Sequence, residues 1–200
     1  VTGEKIETLL KRDIFDPLGM KDTTFKPNAE QQSRLVSIYA VKTGQVCRLV
    51  KEYRALPEPY DSADRYPSGG AGLFSTPRDL FEFYRMLAFG GVARDGRRVI
   101  PEKAVYDYLA VKQTPAAVGT GYSLGMFVQG SWFGHDGALK TACMLEPRQH
   151  QMRFWMMQAD YYGSGENRWH QFNVWRPVAD AFFKAQLTSK KGANVMQGSK

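Results

Sequence analysis

The residues best suited to chemistry in this sequence sit in short glycine-flanked phrases. Trp132-Phe133-Gly134-His135-Asp136-Gly137-Ala138 holds an imidazole and a carboxylate between glycines at the mouth of a strand, where backbone N–H groups can point at a ligand. On residue types alone the phrase reads first as a turn and second as a site. Gly121-Tyr122-Ser123-Leu124-Gly125 matches Gly-x-Ser-x-Gly, an elbow that exposes a nucleophilic serine between a strand and a helix. Here Met126-Phe127-Val128-Gln129 reads as strand, which favours a glycine-flanked strand over an elbow.

Other candidates are weaker. Lys42-Thr43-Gly44 spells a triplet that lines the site of penicillin-recognising serine enzymes when it lies on a strand, but Gly44 is also what a hairpin turn wants. It is read as a turn. Gly69-Gly70-Ala71-Gly72 lacks the spacing and the lysine of a phosphate cradle. Its glycines are expected to let backbone pass close to backbone, and such a loop can also edge a site. His135, His150 and His170 show no ligand spacing, so no metal or other cofactor is indicated, and His150 and His170 are read as surface or packing residues. Cys47 and Cys143 lie far apart and are read as two buried thiols; the sequence neither asserts nor excludes a disulfide between them.

The elements that must position these phrases follow from periodicity. Ile6, Leu9, Leu10 and Ile14 keep a helical period, and Pro17-Leu18-Gly19-Met20 supplies breakers. Residues 35–50 read as a small hairpin turning at Thr43-Gly44, and residues 57–72 as a loop. The clearest helix is capped by Thr76, starts at Pro77, carries Asp79 in its first turn, presents Leu80, Phe83, Tyr84 and Leu87, and ends at Gly90-Gly91. A second, residues 101–110, is expected to bury Ala104, Val105, Tyr108 and Leu109. Residues 122–128, 139–145 and 152–158 read as three strands, antiparallel in sequence order, with a hairpin at Glu146-Pro147-Arg148. A final helix carrying Trp175, Val178, Ala179 and Phe182 is expected to cover one face.

Charge excludes little. Of the net +7, the segment from Lys184 to Lys200 carries four lysines and no acid, leaving +3 for the rest. That is poor support for a nucleic-acid partner, and the tail reads as a disordered basic end from residue 187. No apolar run approaches the roughly 20 residues of a membrane span.

Several phrases together resemble serine β-lactamase-related hydrolases, a group that includes class C β-lactamases, D-alanyl-D-alanine carboxypeptidases and β-lactamase-fold esterases. They are Val1-Thr2-Gly3, Ile14 to Met20 with Asp22-Thr23-Thr24-Phe25, Ser68 to Leu80, Tyr122 to Met126, and Gly134 to Thr141, in the family's order. The resemblance covers about residues 1–158 and implies a mixed α/β, that is α+β, β-lactamase/transpeptidase-like fold. Residues 1–186 would be the C-terminal portion of one such domain, with three antiparallel strands, a C-terminal helix and part of the helical region. It further implies a serine hydrolase working through an acyl-enzyme on a small ester, amide or peptide, and relatives often act outside the cytoplasm.

By the same resemblance His135-Asp136-Gly137 is the equivalent of the Lys-Thr-Gly strand, and the Ala138 N–H an oxyanion donor. Asp136 would meet the substrate and repel a carboxylate, favouring esterase or peptidase chemistry over β-lactamase. Gly69 and Gly70 would edge the site. The family's nucleophile lies in Ser-x-x-Lys, yet no serine here has a lysine three places on, and no Tyr-x-Asn occurs. The chain is therefore expected to be part of a longer protein, to need the missing N-terminal half of its own domain, and to be inactive alone. The alternative is a non-catalytic binding module of the same fold.

Overall fold

A computed structural model describes residues 2–40, 48–49, 62, 65–119, 121–160, 181 and 184. The chain divides into two compact units, residues 1–40 with 47–160, and residues 41–46 with 161–200. Ala181 and Lys184, the described residues of the second unit, are helical. Lys42-Thr43-Gly44, Cys47, His170, the basic tail and the expected final-helix residues Trp175, Val178, Ala179 and Phe182 lie outside the described residues.

The N-terminal helix begins as α1 (Ile6–Leu10), widens into a π-helical turn (Lys11–Phe15) and closes as α2 (Asp16–Leu18). Pro17 does not break it. The helix stops at Gly19, whose left-handed φ of +68° lets Met20 N–H reach back to the Phe15 carbonyl at 2.9 Å. Phe15, Leu18 and Met20 are thereby buried. A short α3 (Ala29–Ser33) follows, started by a reciprocal cap in which Asn28 Oδ1 accepts from the Gln31 N–H and Gln31 Oε1 from the Asn28 N–H.

β1 (Tyr39–Ala40) pairs antiparallel with β2 (Arg48–Leu49), as a hairpin requires, although its strand begins later than Val36. The principal helix α4 (Pro77–Ala88) forms as its sequence dictates, with Thr76 Oγ1 accepting from the Asp79 N–H at 3.2 Å. Its Met86 and Leu87 are fully buried, worth about 1.5–3 kcal/mol each in apolar surface removed from water. Gly91 is obligatory after it, because a Cβ there would lie 2.2 Å from the Ile100 carbonyl oxygen.

The expected helix after Pro101 is π-helical over Ala104–Leu109, with Ala110 N–H bonded to the Val105 carbonyl at 2.9 Å. This five-residue bonding changes which positions share a face. Val105 is fully buried and Leu109 and Ala110 pack beside it on the core, whereas Tyr108, expected inside, is 44% exposed.

Four strands, where three were expected, make the main sheet. They are β3 (Phe127–Gln129), β4 (Trp132–Asp136), β5 (Ala142–Glu146) and β6 (Gln151–Trp155), all antiparallel in sequence order. The first expected run is a strand only from Phe127, because residues 121–126 fold into a tight turn with Gly125 at a left-handed φ of +104°. The extra strand, β4, contains the histidine phrase. Its Gly134 is a requirement of pairing rather than a turn signal, since a Cβ would lie 2.0 Å from the Cys143 carbonyl oxygen on β5. At Glu146-Pro147-Arg148 the hairpin forms, as a 3₁₀ turn (Pro147–Gln149) capped by the Glu146 carboxylate, which accepts from the Gln149 N–H at 2.6 Å.

A last strand, β7 (Ala159–Asp160), pairs parallel with β1 in a second sheet ordered β2-β1-β7. The mixture of helices with an antiparallel sheet is an α+β fold. Helix α4 packs on the main sheet through Tyr84, whose ring meets Phe154 edge-on at 5.6 Å. Among the described residues no helix is long and apolar enough to cross a membrane.

Candidate active site

The C-terminal end of β4 carries His135 and Asp136, and the turn into β5 carries Gly137 and Ala138. Phe133 is fully buried in the core, yet His135, two places on, is exposed, so the strand passes from core to solvent within one turn of its pleat. That places the imidazole at the rim.

The ring of His135 is held on both sides. Its Nδ1 faces the Asp136 carbonyl oxygen, and its Nε2 lies 2.8 Å from the Tyr122 hydroxyl. Phe127 tilts against the ring at a centroid distance of 4.9 Å, and Tyr122 meets it edge-on at 5.8 Å. The Asp136 carboxylate stands 3.9 Å from Nδ1 and is half-buried.

Gly137 N–H donates to the Thr141 carbonyl at 2.6 Å, and Lys140 N–H to the Gly137 carbonyl at 2.9 Å, closing the turn. Lys140 takes a left-handed φ of +74° there. Ala138 is exposed at the apex, and its N–H donates to no backbone carbonyl among the described residues. A free backbone donor next to an exposed imidazole is the pattern that can stabilise developing negative charge on a carbonyl oxygen.

Behind this end of the sheet, the buried Tyr84 hydroxyl donates to the carbonyl of Cys143, the residue paired with His135, at 3.2 Å. Burial pushes the Tyr84 phenol well above its ordinary range, with the nearby Cys143 adding to it. Burial likewise raises the Cys143 thiol to about 12, so it remains a thiol near neutrality and is no nucleophile.

Ser123 is buried, and its hydroxyl donates to the Met126 carbonyl at 3.1 Å. A turn and then a strand from Phe127 follow it, so the elbow geometry is absent, and Ser123 lies in that turn rather than on the glycine-flanked strand expected there.

Gly69 and Gly70 form an exposed turn, and among the described residues no hydrogen bond, ion pair or ring contact joins them to residues 135–138. Neither is there because backbone passes close, since a Cβ on either would meet nothing within 4 Å. Only Gly72 in that phrase has the expected close approach, 2.8 Å from the Ser68 backbone. His150 stacks on Phe89 at 4.9 Å, a packing role. Groups able to hold a metal ion are absent among the described residues. A cavity of about 250 Å³ lined by Lys5, Glu7, Thr8, Thr24, Phe25 and Lys26 shares no residue with the β4 end.

Sequence reading did not single out Tyr122 as a site residue. The only signal was its place in the phrase Tyr122 to Met126, since its reach to His135 exists only once residues 121–126 turn back and Tyr122 bridges Phe127.

Residues 1–172 match the family described as Beta-lactamase. Two curated proteins of Mycobacterium tuberculosis, protein Rv1367c of strain H37Rv and uncharacterized protein MT1414 of strain CDC 1551 / Oshkosh, are each 28% identical over 131 residues, 60% of this chain and 31% of theirs. Among solved structures, a LovD6 mutant of simvastatin synthase from Aspergillus terreus superposes with a TM-score of 0.66 at 16% identity, over 80% of this chain and 47% of that one. EstCE1, a hydrolase with promiscuous acyltransferase activity, does so with a TM-score of 0.63 at 16% identity, over 82% and 48%. The chain thus spans about a third of the length of these curated relatives and just under half of these solved ones. The likeness to the solved structures establishes a β-lactamase/transpeptidase-like fold.

Proposed function

The chain belongs to the beta-lactamase family, and from that premise we propose that it supplies the substrate-binding strand of a serine hydrolase acting on small esters, amides or peptides through an acyl-enzyme. The observation that carries this reading is the β4 end, where exposed His135 is followed by Asp136, Gly137 and the exposed Ala138 N–H. In such chemistry a serine attacks the carbonyl carbon, the carbonyl oxygen becomes anionic, and a strand-end N–H stabilises it. Ala138 is that donor, Gly137 keeps the approach open, and His135 lines the substrate.

Asp136 sets specificity. A half-buried carboxylate beside the site disfavours substrates carrying their own carboxylate, which points away from β-lactams and toward neutral esters. The likeness to EstCE1, a hydrolase with promiscuous acyltransferase activity, supports a reading of acyl chemistry.

Because no Ser-x-x-Lys occurs in the chain, the nucleophile comes from the remainder of the same domain, and residues 1–186 are its C-terminal portion. Alone, the chain is inactive. The test is intact-mass spectrometry after exposure to an activated p-nitrophenyl ester. The 200-residue chain is expected to gain no acyl adduct, whereas the full protein gains one, outside this chain. An adduct on any residue of this chain, or none in the full protein, sinks the reading.

A further inference from the structure

We propose that Tyr122 is a positioning residue that fixes the ring and the tautomer of His135 for the acyl chemistry proposed above, and the inference rests on that reading. The argument starts from a carbonyl oxygen, which can only accept. His135 Nδ1 faces the Asp136 carbonyl, so in the neutral imidazole Nδ1 carries the hydrogen. Nε2 is then the acceptor, and the Tyr122 hydroxyl, 2.8 Å away, donates to it. One ring is therefore tied at both nitrogens, by its own strand and by a turn thirteen residues earlier in the sequence.

That turn is itself held. Gln113 and Thr114 N–H groups both donate to the Tyr122 carbonyl, at 2.8 and 3.1 Å, and Tyr122 N–H donates to Thr114 Oγ1 at 3.2 Å. Tyr122 stands edge-on to Phe127 at 5.0 Å, and both rings touch the imidazole. The aromatic pair confines the ring plane, and the phenol confines its protonated nitrogen. An exposed imidazole without such a partner would rotate and exchange tautomers freely.

Tyr122→Phe removes only the hydroxyl and keeps the ring packing. In the full protein labelled with ¹⁵N-histidine, long-range ¹H–¹⁵N spectra recorded on the neutral imidazole should show wild-type His135 protonated on Nδ1, with the signal assigned by its loss in His135→Gln. Tyr122→Phe should lower the Nδ1–H to Nε2–H ratio about fivefold or more. A wild-type ring protonated on Nε2, or a ratio unchanged by Tyr122→Phe, overturns the proposal.

Ester turnover gives the second readout. Tyr122→Phe should lower kcat on the order of tenfold with little change in KM, and should have no further effect in a His135→Gln background. Equal losses in both backgrounds would mark a general structural role and overturn the proposal. A full protein that turns over no ester refutes the serine-hydrolase reading alone, and the tautomer ratio then decides the role of Tyr122 by itself.

Discussion

Asp79 Oδ2 accepts both the Thr23 hydroxyl and the Asp22 N–H, each at 2.8 Å, so one buried carboxylate in the first turn of α4 ties the principal helix to the loop after α2. The helix dipole favours an anion at that position, and the loop adds two donors to it. Asp79→Ala leaves those donors without the acceptor and should cost about 2–3 kcal/mol. Asp79→Asn, which keeps an acceptor oxygen, should cost less. Urea unfolding of both variants checks the order, and equal losses would mean that volume rather than hydrogen bonding holds the joint.

Gly134→Ala places a methyl group where the Cys143 carbonyl oxygen already stands. The obstacle is backbone, so β4 and β5 must part rather than a side chain turn aside. A loss of about 1–3 kcal/mol or more is expected, together with faster amide exchange at Cys143 and its neighbours. Unchanged exchange on β5 would contradict the close pairing.

Cys143 gives a signed pH dependence. Its thiol is raised by burial from an ordinary value near 9 to about 12, so the folded chain tolerates the thiol and the unfolded chain tolerates the thiolate. The stabilisation is whole below pH 9 and is lost as pH rises from there toward 12. Cys143→Ala should flatten that alkaline limb, measured by chemical denaturation across the range. Iodoacetamide at mild pH should spare Cys143 in the native protein, by peptide mapping, and label it on unfolding.

Ser123→Ala tests the buried serine. It removes one hydrogen bond to the Met126 carbonyl and should cost about 1 kcal/mol of stability. Ester turnover by the full protein should be unchanged, and a loss of the acyl adduct in this variant would make Ser123 the nucleophile after all.

The capping signals were legible because they are local. Thr76, Pro77 and Gly19 act within a few residues of themselves, and each does what its type dictates. The histidine phrase was legible as a candidate, but its glycines read as turn punctuation when one of them is demanded by a strand passing 2.0 Å from its absent Cβ. That demand comes from β5 and has no local mark. Tyr108 was misplaced because a π-helical turn keeps no 3.6-residue period. Tyr122 escaped notice for a different reason, since its partner is across a turn whose geometry only the folded chain defines.

The pairing of Tyr39 with Ala159 joins strands far apart in sequence. The four-stranded meander pairs neighbours in sequence, hairpin by hairpin, whereas β1 meets β7 only across the whole intervening chain. Closing so long a loop costs entropy before any contact repays it. The β1–β7 pairing is therefore the contact of the small sheet that loop entropy disfavours most, whereas β1 and β2 pair locally.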